Sequence, residues 1–266
     1  MLANFHTHTT FCDGKNTTEE VVRAAIEQGF HSIGFSGHGN TPFDLRYCMT
    51  DTEAYIQEIE RLRHVYKDQI EICLGVEEDG FALTDRKRFD YIVGSLHYVL
   101  LDGEYLPVDS GLEYIRTCLG KCGGDPCKVA DVYYRAFCSY LKVRKPEIVG
   151  HFDLITKYDE LEDAFFLGNA EYAQIAKRYL ESVADCGSLF EVNTGAMARG
   201  LRTTPYPSAD LLSVLKKRDA GIILSSDSHS AETLDFGFGE TKALLWEIGF
   251  RNIYTRKSGE FVKIPL

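Results

Sequence analysis

Short β-type runs recur along the chain at residues 2–5, 32–35, 70–74, 91–93, 147–149, 189–192 and 222–224. Stretches with helical spacing lie between and after them, at residues 18–28, 52–66, 129–141, 168–184, 208–218 and 240–248. In the second of these, Tyr55, Ile56, Ile59, Leu62 and Tyr66 form an apolar stripe while Glu58, Arg61 and Lys67 lie off it. That is the pattern of a helix packed on one face. Thr17 or Thr18 caps the first helix with Glu19 or Glu20 close by, and Gly29 stops it. Strands alternating with helices predict parallel βα units. No internal repeat and no Pro/Gly/Ser-rich linker interrupts this order, so the expectation is one barrel-like α/β domain over residues 1–266, with residues 118–128 as a surface insertion.

Composition narrows the class. With 266 residues and 44% hydrophobic content the chain can bury a sizeable core, which excludes a disordered or fibrous protein. No apolar run approaches the roughly 18 to 20 residues of a membrane span, and the start MLANFHTHTT lacks the features of a signal peptide. A formal net charge of −11 repels a phosphate backbone, so nonspecific nucleic-acid binding is disfavoured. Eight cysteines without an export signal read as reduced thiols, and the expected compartment is the cytoplasm. Cys118, Cys122 and Cys127 fit no common zinc spacing, and they read as incidental.

The chemistry gathers where the β-type runs end. The first leads into His6-Thr7-His8, and strand alternation puts two histidines separated by one residue on the same face. Asp13 follows in an Asp-Gly turn that can fold a carboxylate back over the strand end. The second run leads into Ser36-Gly37-His38, the third into Gly75-Val76-Glu77-Glu78-Asp79, and the fourth into Gly94-Ser95-Leu96-His97. Two later runs lead into Gly150-His151 and into Asp227-Ser228-His229. Imidazoles and carboxylates together suit zinc, manganese or iron, and a bridging carboxylate can hold two such ions. In parallel α/β barrels reactive side chains collect at the C-terminal strand ends, where all of these donors fall. By contrast His31 and His64 are expected to be solvated, and Asp153 reads as a turn or helix-start residue outside the site.

This ordered set resembles the PHP superfamily, named for polymerase and histidinol phosphatase, and within it the stand-alone histidinol-phosphate phosphatases. The resemblance covers nearly the whole chain. It implies a distorted seven-stranded (β/α)7 barrel with two or three divalent metal ions. By the same resemblance His6, His8, Glu77 and Asp227 would surround one ion, and Glu77 would bridge to a second held by His97 and His151. Asp13, His38 and His229 would hold the third. The stretch from Glu191 to Ser208 resembles the strand-loop that supplies an arginine to the substrate phosphate; Arg199 matches best and Arg202 is the alternative, since a guanidinium pairs phosphate in bidentate fashion.

The implied activity is metal-dependent hydrolysis of a small phosphate monoester, L-histidinol phosphate. Arg199 would neutralise phosphoryl oxygens and an acid from the Asp13, His38 and His229 group would protonate the leaving alkoxide. Tyr98, Asp102, Glu104 and Asp109 follow His97 and offer an aromatic face and acidic partners for a protonated amino alcohol. Two rival readings stay open at this stage: a related phosphoesterase acting on nucleotides or another small ester, and a noncatalytic metal-binding module.

Overall fold

The computed structural model describes residues 1–161 and 164–266. Its strands are β1 (Ala3–Asn4), β2 (Ser32–Phe35), β3 (Glu71–Asp79), β4 (Tyr91–Ser95), β5 (Tyr98–Leu101), β6 (Glu104–Pro107), β7 (Ile148–Val149), β8 (Leu189–Asn193), β9 (Ile222–Ser225), β10 (Asn252–Lys257) and β11 (Glu260–Pro265). Its helices are α1 (Thr18–Glu27), α2 (Thr52–Tyr66), α3 (Leu112–Lys121), α4 (Pro126–Arg144), α5 (Ala170–Glu181), α6 (Gly195–Ala198), α7 (Ala209–Lys217) and α8 (Phe238–Ile248).

Local chemistry sets the helix starts. Thr17 and Glu20 form a reciprocal capping box on α1, Asp51 caps α2, and Asn169 caps α5. Asp125 caps α4 with Pro126 in its first turn, where the missing N–H costs nothing. The apolar stripe of α2 buries Tyr55, Ile59 and Leu62.

Among the described residues nine strands form one sheet in the order β1-β2-β3-β4-β7-β8-β9-β10-β11. Every pairing from β1 to β10 is parallel, and β11 closes the order as an antiparallel partner of β10. Just past β1 and β9 the chain is bridged again: His8 N–H donates to Ser228 O at 2.8 Å, and Ser228 N–H donates to His6 O at 3.1 Å. Asn4 reinforces this seam, accepting from Ser226 N–H at 3.1 Å and donating to Ser226 Oγ at 2.8 Å. Phe5, Cys73, Tyr91, Val93, Ile148 and Ile223 meet in one buried cluster although they come from strands far apart in the sheet order. Two larger apolar clusters lie under the helices.

Several elements differ from the sequence reading. The strand expected to stop at Leu74 runs on to Asp79, because parallel pairing with β4 continues through Glu77, Glu78 and Asp79. Residues 112–121 form a helix with Ile115 and Cys118 buried, so the segment 118–128 takes in the end of α3, the turn after it and the start of α4. The β5–β6 and β10–β11 hairpins were not expected, since both are amphipathic ribbons whose exposed residues break the apolar runs. His31 is not simply solvated: its Nδ1 lies 2.7 Å from Leu2 O.

Tyr91 pins the inner cluster by donating its hydroxyl hydrogen to Phe5 O at 2.7 Å. Its ring needs Gly75, where an added Cβ would come within 2.3 Å of Tyr91 Cζ. Gly75→Ala is therefore expected to destabilise the protein by about 1 to 3 kcal/mol, the cost of overpacking a filled interior. Urea unfolding of the two proteins measures this, and an unchanged midpoint would show that the ring can yield.

Candidate metal centre

The strand ends deliver their side chains to one place. His6 and His8 follow β1 and are buried. Gly14 lies so close to the His8–Thr9 backbone that a Cβ would be 2.5 Å from His8 C, and this contact folds Asp13 back over the strand end. His38 follows β2 and is bridged to β3, with Gly39 N–H donating to Glu77 O at 2.7 Å. The extension of β3 then separates three consecutive acids by alternation. Glu77 and Asp79 face the centre, whereas Glu78 accepts from Arg144, Tyr140 and Thr84 on the other side. His97 follows β4, His151 follows β7, and Asp227 and His229 follow β9. Asp227 holds a left-handed backbone, φ 47°, which is strained for a non-glycine residue and aims its carboxylate inward.

Glu77 stands at the middle. Its Oε2 lies 3.2 Å from His6 Nε2, 3.5 Å from His8 Nε2 and 3.0 Å from His38 Nδ1. Its Oε1 lies 3.2 Å from His97 Nε2 and 2.9 Å from His151 Nε2. Asp227 Oδ1 lies 3.2 Å from His8 Nε2 and 3.6 Å from His6 Nε2. Asp13 Oδ2 lies 3.2 Å from His229 Nε2 and 3.7 Å from His38 Nε2.

All nine expected donors thus converge, and their ligand atoms form four sets lying within 4.8 Å: His8, Asp13, His38 and His229; His6, Glu77 and His151; His6, His8 and Asp227; and His38, Glu77 and His97. The donor atoms fit divalent cations better than they fit one another. His6 Nε2 and His8 Nε2 are buried without a hydrogen-bond partner although carboxylate oxygens surround them. Imidazole nitrogens and carboxylate oxygens aimed at common points, with two buried nitrogens making no hydrogen bond, suit a shell of metal ligands.

The buried carboxylates and imidazoles also act on one another electrostatically. Burial works against an ionised Glu77, yet His6, His38, His97 and His151 hold its pKa well below the usual carboxylate range. Asp227 is likewise held far down against burial by His6, Arg199 and its other partners. Burial disfavours protonated His6, but Glu191, Glu77 and Asp227 outweigh it and raise its pKa well above the ordinary value. His8 goes the other way, to about 3, because burial and the neighbouring His229 and His38 charges oppose its protonation. A neutral imidazole is the form that binds metal.

Two carboxylates behind the ligands were not anticipated. Glu191 accepts from His6 Nδ1–H at 2.6 Å and from His151 N–H at 2.9 Å. Asp79 accepts from His97 N–H at 2.8 Å and sits 3.2 Å from His97 Nδ1. Their signal was an acid at an inward register position within a strand. Such partners fix the tautomer and orientation of ligating histidines.

The centre lies in a cavity of about 640 Å³ also lined by Asp44, Arg46, Tyr47, Tyr98, Asp109, Lys157 and Arg199. Arg199 caps α6, with Nη2 at 3.1 Å from Asp227 Oδ2 and Nη1 at 3.3 Å from His229 Nδ1. The other expected substrate contacts fall elsewhere. Arg202 is buried outside this lining, donating to Thr156 and Thr204 with its guanidinium 4.4 Å above the Tyr206 ring. Glu104 is exposed on β6 and pairs with Lys121 at 2.9 Å, and Asp102 faces the same lysine at 3.4 Å. Asp153 is buried, accepting from Ser208 N–H at 3.0 Å, and joins none of the four donor sets. No cysteine joins them either among the described residues.

The chain is similar to several known proteins. The model of the PHP domain matches residues 4–195. A Schizosaccharomyces pombe protein named "Probable histidinol-phosphatase" is 28% identical over 97% of this chain and 90% of its own length. The histidinol-phosphatase of Bacillus subtilis is 26% identical over 88% of this chain and 95% of its own. The crystal structure of histidinol phosphate phosphatase from Lactococcus lactis, complexed with zinc, L-histidinol and phosphate, superimposes with a TM-score of 0.74 at 22% identity, covering 98% of both chains.

Glu191→Gln should preserve the shape of its side chain while removing the charge that holds His6. The expected outcome is a loss of metal affinity of about 10- to 100-fold, read by competition with a chromophoric chelator. Unaltered retention of metal would mean that Glu191 only fills space.

Proposed function

Because this chain belongs to the PHP domain family, we propose from that premise that it is a phosphomonoesterase that hydrolyses L-histidinol phosphate to L-histidinol and phosphate. The observation that carries this reading is the placement of Glu77 between two sets of imidazoles in a cavity that Arg199 also enters. The relatives named as histidinol-phosphatases support the same substrate. We read the fold as a distorted barrel of seven βα units forming a single domain. The hydrogen bonds between His8 and Ser228 support closure of its first strand against its seventh.

The residues suited to hold the ions are His6, His8, Glu77 and Asp227 for one, Glu77, His97 and His151 for a second, and Asp13, His38 and His229 for a third. Such ions, of zinc, manganese or iron, supply Lewis acidity and a water of lowered pKa when bound. The chain contributes the rest. Arg199 is held beside Asp227 and His229 with its guanidinium toward the cavity, placed to pair phosphoryl oxygens as their charge grows. Asp13 Oδ2 and His229 Nε2 lie 3.2 Å apart at the mouth; with an ion held there, a water carried by this group would supply the proton to the departing alkoxide. Burial of Glu77, His6 and His8 keeps bulk water from screening these charges.

The compartment we assign is the cytoplasm, which suits a chain whose eight cysteines are all free. No helix among the described residues is long and apolar enough to cross a membrane.

Phosphate release measured across histidinol phosphate, nucleoside monophosphates and short oligonucleotides, with metal content determined on the same sample, tests the reading. Histidinol phosphate should be the best substrate, and chelation should abolish turnover; full activity in the chelated protein would defeat it. Arg199→Ala should lower kcat/KM by about 100- to 1000-fold while metal content stays unchanged.

A further inference from the structure

A phosphate ester of an amino alcohol carries its ammonium group one carbon from the ester carbon. The carboxylate that receives this cation must therefore line the same cavity as the donor cluster. Of the acids that follow His97 in the sequence, Asp109 and Glu113 line this cavity, and Asp109 is the more enclosed of the two. Asp102 and Glu104 are exposed and face Lys121 outside the cavity. Asp109, on the connection from β6 to α3, lies within it.

The setting of Asp109 is rigid. Val108 N–H donates to His97 O at 2.8 Å, which ties this connection to a strand end that carries a candidate ligand. The Asp109 carbonyl accepts from Lys157 Nζ at 2.8 Å and from the Tyr158 hydroxyl at 2.5 Å. Its carboxylate is less fully engaged. Oδ2 is 3.4 Å from Lys157 Nζ, and Oδ1 meets Ser110 Oγ at 3.5 Å. An ionised carboxylate offers about four lone-pair sites, so this group retains acceptor capacity toward the cavity. Another acid of the lining, Asp44, already takes Arg46 at 2.6 Å and the Tyr98 hydroxyl at 3.0 Å.

We propose that Asp109 receives the protonated amine of the substrate and so sets a preference for phosphate esters of amino alcohols. This rests on the histidinol phosphate reading above. Tyr47 and Tyr98, which share the cavity lining with Asp109, supply the apolar surface for the remainder of the ligand.

The experiment compares kcat/KM of the metal-loaded protein for histidinol phosphate, its N-acetylated form and the deamino ester in which hydrogen replaces the ammonium. The wild type should favour histidinol phosphate over both by about 10- to 100-fold, the range of a hydrogen bond to a charged group. In Asp109→Asn that ratio should collapse toward unity, with the metal content and unfolding midpoint of the variant recorded alongside. A variant that keeps the preference, or that loses activity on all three esters in equal proportion, overturns the assignment while leaving the phosphatase reading intact. A wild type with no preference for the amine overturns it without any recourse to the variant. If the wild type releases phosphate from none of the three, the phosphatase reading itself fails and this inference goes with it.

Discussion

Burying a carboxylate is tolerable only when cations surround it, and Glu77 is where this protein meets that condition. Two oxygens of one side chain face five imidazoles, three on Oε2 and two on Oε1. An unpaired charge at such a depth would cost several kcal/mol, so the donors around it are not independent choices. Divalent ions answer the same need as protons on the imidazoles, and they do so without disturbing the carboxylates. The four donor sets overlap through His6, His8, His38 and Glu77, so the positions they define depend on one another.

The parallel sheet makes this convergence possible. Strands β1, β2, β3, β4, β7 and β9 deliver the donors at or just past their C-terminal ends, and the backbone seam between His6, His8 and Ser228 brings the first and last contributors together. Tyr91 fills the space beneath them and leaves no room for a side chain at position 75. Glu78 shows the same economy in the opposite direction. One residue from the central ligand, it is turned outward onto Arg144 and Tyr140, which fastens α4 to the strand that carries Glu77.

Much of the centre could be read from residue order alone, because histidines and acids at the ends of apolar runs report their own position through strand geometry. All nine expected ligands come together for that reason. What escaped the reading depends on registers and contacts that a run of letters does not carry. The sequence puts Glu77, Glu78 and Asp79 beyond the end of their strand, whereas pairing with β4 carries the strand through them and alternation sorts them. Glu191 and Asp79 act through histidines far away in the chain, so no local spacing marks them. Glu104 was a reasonable partner for an amine by composition, but the hairpin turns it toward Lys121. Arg202 sits three residues from Arg199 and yet inserts into the interior, stacked on Tyr206, donating to Thr156 and 3.7 Å from Glu160.

The ligands are also unevenly sealed. Side chains of His6 and His8 have no exposed surface, whereas Asp13 is 33% exposed and His229 24%. The outer group is thus a vestibule to the inner ones. A cation held by Asp13 and His229 would meet the surroundings more directly than one held against His6. Occupancy would then follow access, with the deepest position the slowest to empty.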